Sequence, residues 1–200
     1  MKKYYWMIGV ALVPILIGLG CGDLGKVEQG RVIQFDKTKW TVTLVRDKQA
    51  DPQNPDYCQL PPVTFALPAD PQEMGPEPKA GLRIKLDTKN NQIVIFDPAS
   101  QNFKTIQYTL IDQKEKIAKD NPLVLDEGKP KKFPIIDREK KAITVYSKRQ
   151  QILTTFTIPE EYFGLPENTW DAGDEVRIYF KEEGKARRFM NITKTDIFKK

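Results

Sequence analysis

Apolar and polar side chains alternate with a period of two along most of the chain from residue 31 onward, and that period marks strands with one buried face. A first apolar-rich run occupies residues 31–35, a turn follows at Asp36-Lys37-Thr38, and Trp40, Val42 and Leu44 then alternate with Thr41, Thr43 and Val45. This predicts a β-hairpin with Trp40 on the core stripe. Residues 47–62 are polar and proline-rich, and proline cannot donate to a ladder, so they read as a surface loop. A strand is expected at 63–67, and a second proline-rich passage follows at 68–78. Leu82, Ile84 and Leu86 alternate with Arg83, Lys85 and Asp87, and Asn90-Asn91, which tolerates positive φ, turns the chain into a strand at 92–96. Residues 104–111 read as one strand with Ile106, Tyr108 and Leu110 on a common face.

The pattern breaks at 112–132, where lysines, acids, Gly128 and Pro130 dominate and at most a short helical turn fits near 113–119. We read this stretch as an interdomain linker. Strands resume at 133–136, 142–147, 151–158, 175–180 and 186–193, with one helical turn expected at 159–165. Three blocks of the second half repeat blocks of the first in the same order. Residues 32–39 match 133–140, Thr64-Phe65-Ala66-Leu67-Pro68 matches Thr155-Phe156-Thr157-Ile158-Pro159, and Ala80-Gly81 with its following strand matches Ala172-Gly173 with its own. The expected fold is therefore all-β: two tandem small β-barrel modules, SH3-like or OB-like, arising from an internal duplication. The expected division is a signal peptide at 1–20, a tether at 21–29, modules at 30–111 and 133–200, and the linker at 112–132.

The first twenty-one residues have a different character. Lys2 and Lys3 precede an uncharged apolar run over 4–20 that ends in small residues, the anatomy of an export signal, and the run is shorter than the roughly 20 residues of a stable membrane span. Gly18-Leu19-Gly20-Cys21 resembles the lipobox of bacterial lipoproteins, with Gly18 where that motif carries leucine. The resemblance implies lipidation of Cys21 and anchoring to a bacterial membrane, on its periplasmic or outer-surface side. An uncleaved helix, or a disulfide to Cys58, the only other cysteine, are the other two fates of this segment. In its general character the chain resembles small envelope lipoproteins grouped under domains of unknown function, a resemblance that implies no activity.

Composition narrows the chemistry. Net charge is +5, falling to +3 once Lys2 and Lys3 are removed, and 30% charged with 40% hydrophobic residues suits a globular domain. An exported protein with this surplus is expected to meet headgroups, polysaccharide or an acidic partner, with no nucleic acid. The absence of histidine removes histidine-based metal sites and every triad built on histidine. No phosphate-cradling glycine loop or Cys-Xaa-Xaa-Cys occurs, and no cofactor or metal is expected. Asp171, Asp174 and Glu175 lack the alternation of a calcium loop and read as a solvated turn, and the adjacent Glu160-Glu161 pair points its carboxyls apart. Asn191-Ile192-Thr193 is formally a glycosylation sequon. Tyr57, Tyr162 and Trp170 fall in expected loops and are expected to be exposed; with Cys58 and the basic Lys185, Arg187 and Arg188 they are the candidate partner contacts. The leading expectation is a lipid-anchored, non-enzymatic binding or assembly module acting on an envelope protein. A carboxylate-based enzyme acting on envelope polysaccharide and a carrier of a small apolar ligand are the alternatives.

Overall fold

The computed structural model describes residues 24–49 and 55–195. The expected signal peptide and Cys21 lie outside the described residues. The protein is all-β. Its strands are β1 (Lys26–Asp36), β2 (Thr41–Arg46), β3 (Gln59–Ala66), β4 (Arg83–Asp87), β5 (Gln92–Asp97), β6 (Asn102–Gln107), β7 (Thr109–Lys114), β8 (Leu125–Asp126), β9 (Lys129–Pro130), β10 (Ile135–Asp137), β11 (Ala142–Ser147), β12 (Ile152–Thr157), β13 (Glu175–Glu182) and β14 (Lys185–Asn191). Single 3-10 turns interrupt them, one of them at Glu160–Tyr162 within the stretch expected to turn.

Three antiparallel meanders, β1-β2-β3, β4-β5-β6 and β10-β11-β12, share one turn chemistry. Asp36, Asp87 and Asp137 close the first strand of each, and their carboxylates accept from backbone amides two or three residues on: Thr38 and Lys39, Lys89 and Asn90, and Lys140. The next residue, Trp40, Asn91 or Lys141, takes a left-handed conformation (φ 55°, 53° and 49°). The side-chain cap holds the turn, and the left-handed residue gives the returning strand the right-handed twist a hairpin needs. Asp97 and Ser147 build the second turns of the later meanders in the same way, ahead of Gln101 and Gln151 with φ 52° and 54°. Asp47 occupies the equivalent place in the first meander, where it accepts from Gln49 and Asp56 and opens the longer proline-rich loop. Trp40 therefore sits at a turn, its Nε1 donating to Pro68 O at 3.0 Å, with its ring packed against the barrel core from the end.

Pairing between meanders departs from the tandem arrangement. β1 pairs with β13 from Lys26↔Phe180 to Arg31↔Glu175, and the order β1-β13-β14-β3-β2 closes a barrel through the single pair Lys185↔Ala66. The first and last strands among the described residues thus share one sheet, which corrects the division into modules at 30–111 and 133–200. Val32, Leu44, Phe65, Ile178, Phe180 and Phe189 fill this barrel. The second core lies between β4-β5-β6 and the sheet β10-β11-β12-β7, and includes Ile93, Ile106, Ile143, Phe156 and Trp170. A third cluster, with Ile33 and Val45 from the barrel and Ile84 and Phe96 from the β4-β5 hairpin, joins the two. Val32 and Ile33 of β1, and Leu44 and Val45 of β2, are buried in different clusters, so separating the barrel from the β4-β5 hairpin exposes apolar surface.

The stretch at 112–132 is not a linker. Its first three residues belong to β7, Ile117 and Val124 are buried, and Ile117 exchanges bonds with Gln151 and the Tyr146 hydroxyl. The expected strand at 104–111 is two strands in different sheets, broken at Tyr108, which leaves Leu110 40% exposed. The repeated Ala-Gly stretches lie against each other: Leu82 bridges Ala172, and Gly81 N donates to Val32 O. A Cβ on Gly173 would overlap Val32 O, and one on Gly81 would overlap Asp171 O. Glycine is required at this crossing because three backbones meet there.

Candidate functional site: a basic groove

A groove of about 1760 Å3, lined at the glycine crossing by Ala80 and Gly173, runs between the barrel and the second core. Ten basic and five acidic side chains line it.

β1 carries Arg31 to its rim. The guanidinium lies 4.5 Å over the Tyr57 ring, and its Nη1 donates to Arg83 O at 3.3 Å and Ile84 O at 3.1 Å. Arg31 Nε is sealed from water and has no hydrogen-bond partner among the described residues, and Tyr57 Oη makes no well-formed hydrogen bond there, with the guanidinium of Arg149 close to it. β4 supplies the second guanidinium. A bulge between Arg83 and Lys85 breaks the alternation, so Arg83 and Ile84 both turn inward. Arg83 is only 6% exposed, and its Nε donates to Trp170 O at 2.9 Å. Burial, with the charge of Arg31 adding to it, pushes the Arg83 pKa down to about 10.

Three of the five acids of the groove, Asp171, Asp174 and Glu175, already have partners. Glu175 accepts from Gln29 Nε2 at 2.8 Å and from Arg149 Nη2 at 2.5 Å, and Gln29 in turn accepts from Arg177. Asp174 takes the Lys79 amide and Asn191 Nδ2, each at 2.8 Å, with Lys194 at 3.4 Å. Asp171 pairs with Lys79, although burial still raises its pKa. Burial likewise raises the Tyr57 hydroxyl, against the opposing charges of Arg31 and Arg149. Arg31, Lys119, Lys131, Lys132 and Lys148 have no carboxylate at ion-pair distance among the described residues, so the groove is left with a net positive field.

The residues singled out by sequence divide into two groups. Tyr57 and Cys58 line the groove, but Tyr57 is buried rather than exposed, because the loop before β3 folds its ring under Arg31. Cys58 is an exposed free thiol whose pKa is raised, chiefly by a hydrogen bond to Asp56, which disfavours the reactive thiolate. Trp170 is 1% exposed in the second core, a correction to its expected place on the surface: the 3-10 turn at Glu167–Thr169 inserts the ring between the sheets. Tyr162 is half-buried on the same core with Lys104 4.6 Å from its ring centroid. Lys185, Arg187 and Arg188 are exposed on β14, outside the groove, and Arg188 is bound to Glu73 at 2.5 and 3.0 Å. Asp174 and Glu175 are buried and Asp171 is half-buried, each with its own hydrogen-bond or ion-pair partner rather than in a solvated turn, and Asn191 is fully buried with its amide donating to Asp174, so the sequon is inaccessible. Among the described residues no group of three or more acidic or thiol side chains is placed to hold a metal ion.

Sequence reasoning missed Arg31, Arg83 and Arg149. Arg83 stands at an alternating position that reads as solvent-facing, and only the bulge reverses it. No curated protein and no solved structure matches the chain significantly. The sequence pattern of a domain of unknown function, DUF4881, matches residues 23–200, and with most of its length covered the chain belongs to that family.

Proposed function

We propose that the protein is a lipid-anchored, non-enzymatic binding module of the bacterial cell envelope, held at a membrane through Cys21 and engaging its partner or ligand in the basic groove. The observation that carries this reading is the groove itself. At about 1760 Å3 it exceeds the roughly 300–1,000 Å3 of an ordinary small-molecule pocket, which suits an extended ligand or a projecting segment of an envelope partner. Three of its five acids, Asp171, Asp174 and Glu175, are already held by cations or amides, which leaves unpaired bases dominant along its lining. The lipobox-like Gly18-Leu19-Gly20-Cys21 supports the anchor. The recurring Asp-led meanders fit repetition of a small β-unit within the fold.

Two measurements test the reading. Mass spectrometry of the mature chain is expected to find an N-terminus at Cys21 carrying diacylglyceryl; an intact residue 1 or a disulfide from Cys21 to Cys58 overturns the anchor. Co-purification from solubilised membranes is expected to recover a stable partner or ligand that Lys148→Glu at the groove rim weakens. Capture unaffected by that reversal removes the groove from the function.

A further inference from the structure

We propose that the groove is an oxyanion-recognition site, in which Arg31 and Arg83, with Tyr57, receive a phosphate or carboxylate group of the ligand. This deepens the binding-module reading and rests on it. Arginine is suited to the task because its planar fork meets two oxygens at once. Arg31 is positioned for it: Nη1 is committed to two backbone carbonyls, which fixes the plane of the guanidinium, while Nε has no partner. Tyr57, more than nine-tenths buried beneath that guanidinium, has only a donor, Arg149, close to its hydroxyl, so its own O–H lacks an acceptor as well. Buried donors are normally paired, and a donor left unmade is costly, so two adjacent orphans at the wall of one groove mark a place where a ligand supplies the acceptor. A side-chain shift of the kind common on binding brings them to it.

The second arginine argues in the same direction. Arg83 is buried beside Arg31, whose Nη1 rests on the Arg83 carbonyl, and the nearby carboxylate of Asp171 is already engaged by Lys79. Two like charges in one low-dielectric wall repel unless an anion sits between them. At the rim Lys148 has no carboxylate partner among the described residues and extends the field outward, where it steers an anion inward.

Titration calorimetry of the full chain in neutral detergent tests the assignment, with inorganic phosphate, citrate and the water-soluble dihexanoylphosphatidylglycerol as probes. Saturable binding of at least one probe is expected, weakened tenfold or more by Arg31→Met and by Lys148→Glu, and unchanged in Arg187→Met on β14. Lys148 is exposed, so its reversal reads the site even where Arg31→Met fails to fold. Tighter binding of the phospholipid than of phosphate identifies a headgroup as the source of the oxyanion; the reverse order identifies a free or polymer-borne anion. Absence of saturable heat for all three probes, or equal losses in Arg187→Met and Lys148→Glu, overturns the proposal. Recovery of a membrane partner that Lys148→Glu weakens, together with no response to the three probes, overturns the oxyanion assignment alone and leaves the binding module standing.

Discussion

Arg83 carries the clearest conflict between stability and any structural purpose. A depression from the ordinary arginine value to about 10 corresponds to a cost of roughly 3 kcal/mol for keeping the side chain charged in the folded state at neutral pH. Because the folded pKa lies below the unfolded one, the unfolded chain binds more protons between those values, and the cost fades as pH rises through that window. Arg83→Met removes the buried charge but leaves Trp170 O without its donor, a loss of about 1–3 kcal/mol. The two terms nearly cancel, so urea denaturation at pH 7 is expected to place Arg83→Met within about 1 kcal/mol of the parent, with the difference shifting in favour of the parent as pH approaches 12. A loss above about 3 kcal/mol at pH 7 would make Arg83 a structural residue. Trp170 behaves in the opposite way. Enclosed in the second core, Trp170→Ala is expected to cost about 3–5 kcal/mol, read as a lower urea midpoint. Its burial was not legible from sequence, since a tryptophan between Thr169 and Asp171 in a proline- and glycine-bounded stretch carries no periodicity to follow.

At the scale of elements, alternation located the strands well, because the contrast between Leu82-Ile84-Leu86 and its neighbours records a real buried face. Turn chemistry was legible where Asn90-Asn91 announced it and illegible at Lys141, Gln101 and Gln151, residue types with no preference for positive φ. There the capping Asp or Ser at the start of the turn and the pull of the two strands decide the conformation. Gln151, exposed with φ 54°, therefore holds strain that glycine relieves. Gln151→Gly is expected to raise stability by about 0.5 kcal/mol, and Gln151→Val to lower it by about 1–2 kcal/mol, since a left-handed β-branched residue is the worst case. The bulge in β4 was the decisive illegible feature. It turns Arg83 from an apparent solvent position into the groove wall, and with it the site itself. The glycine crossing carries the opposite expectation to Gln151: a side chain on Gly173 collides with Val32 O, so Gly173→Ala is expected to abolish soluble folded protein.

The molecule as a whole is where sequence reasoning was furthest from the structure. A period of two tells which face of a strand is buried and nothing about which strand lies beside it. Matching blocks in two halves of the chain suggested two closed modules, yet β1 takes β13 as its neighbour, and the third cluster ties the barrel to the β4-β5 hairpin. The consequence is cooperative. Residues 24–111 alone lack β13 and β14, which supply Val176, Ile178, Phe180 and Phe189 to the barrel core, and a closed sheet missing two of five strands exposes both its edges and that core. A protease site inserted between Glu127 and Gly128, at the exposed turn joining β8 and β9, separates the chain covalently while leaving these contacts in place. The cleaved protein is expected to elute as one species in native buffer, to melt in a single transition, and to dissociate only in denaturant; two fragments that part under native conditions and melt independently would restore the tandem arrangement. The same experiment bears on the groove, because its walls come from both fragments: Arg31 and Arg83 lie on one, and Arg149, Asp171 and Glu175 on the other. Anion binding that survives cleavage and disappears with dissociation would place the site at the junction that holds the two ends of the chain together.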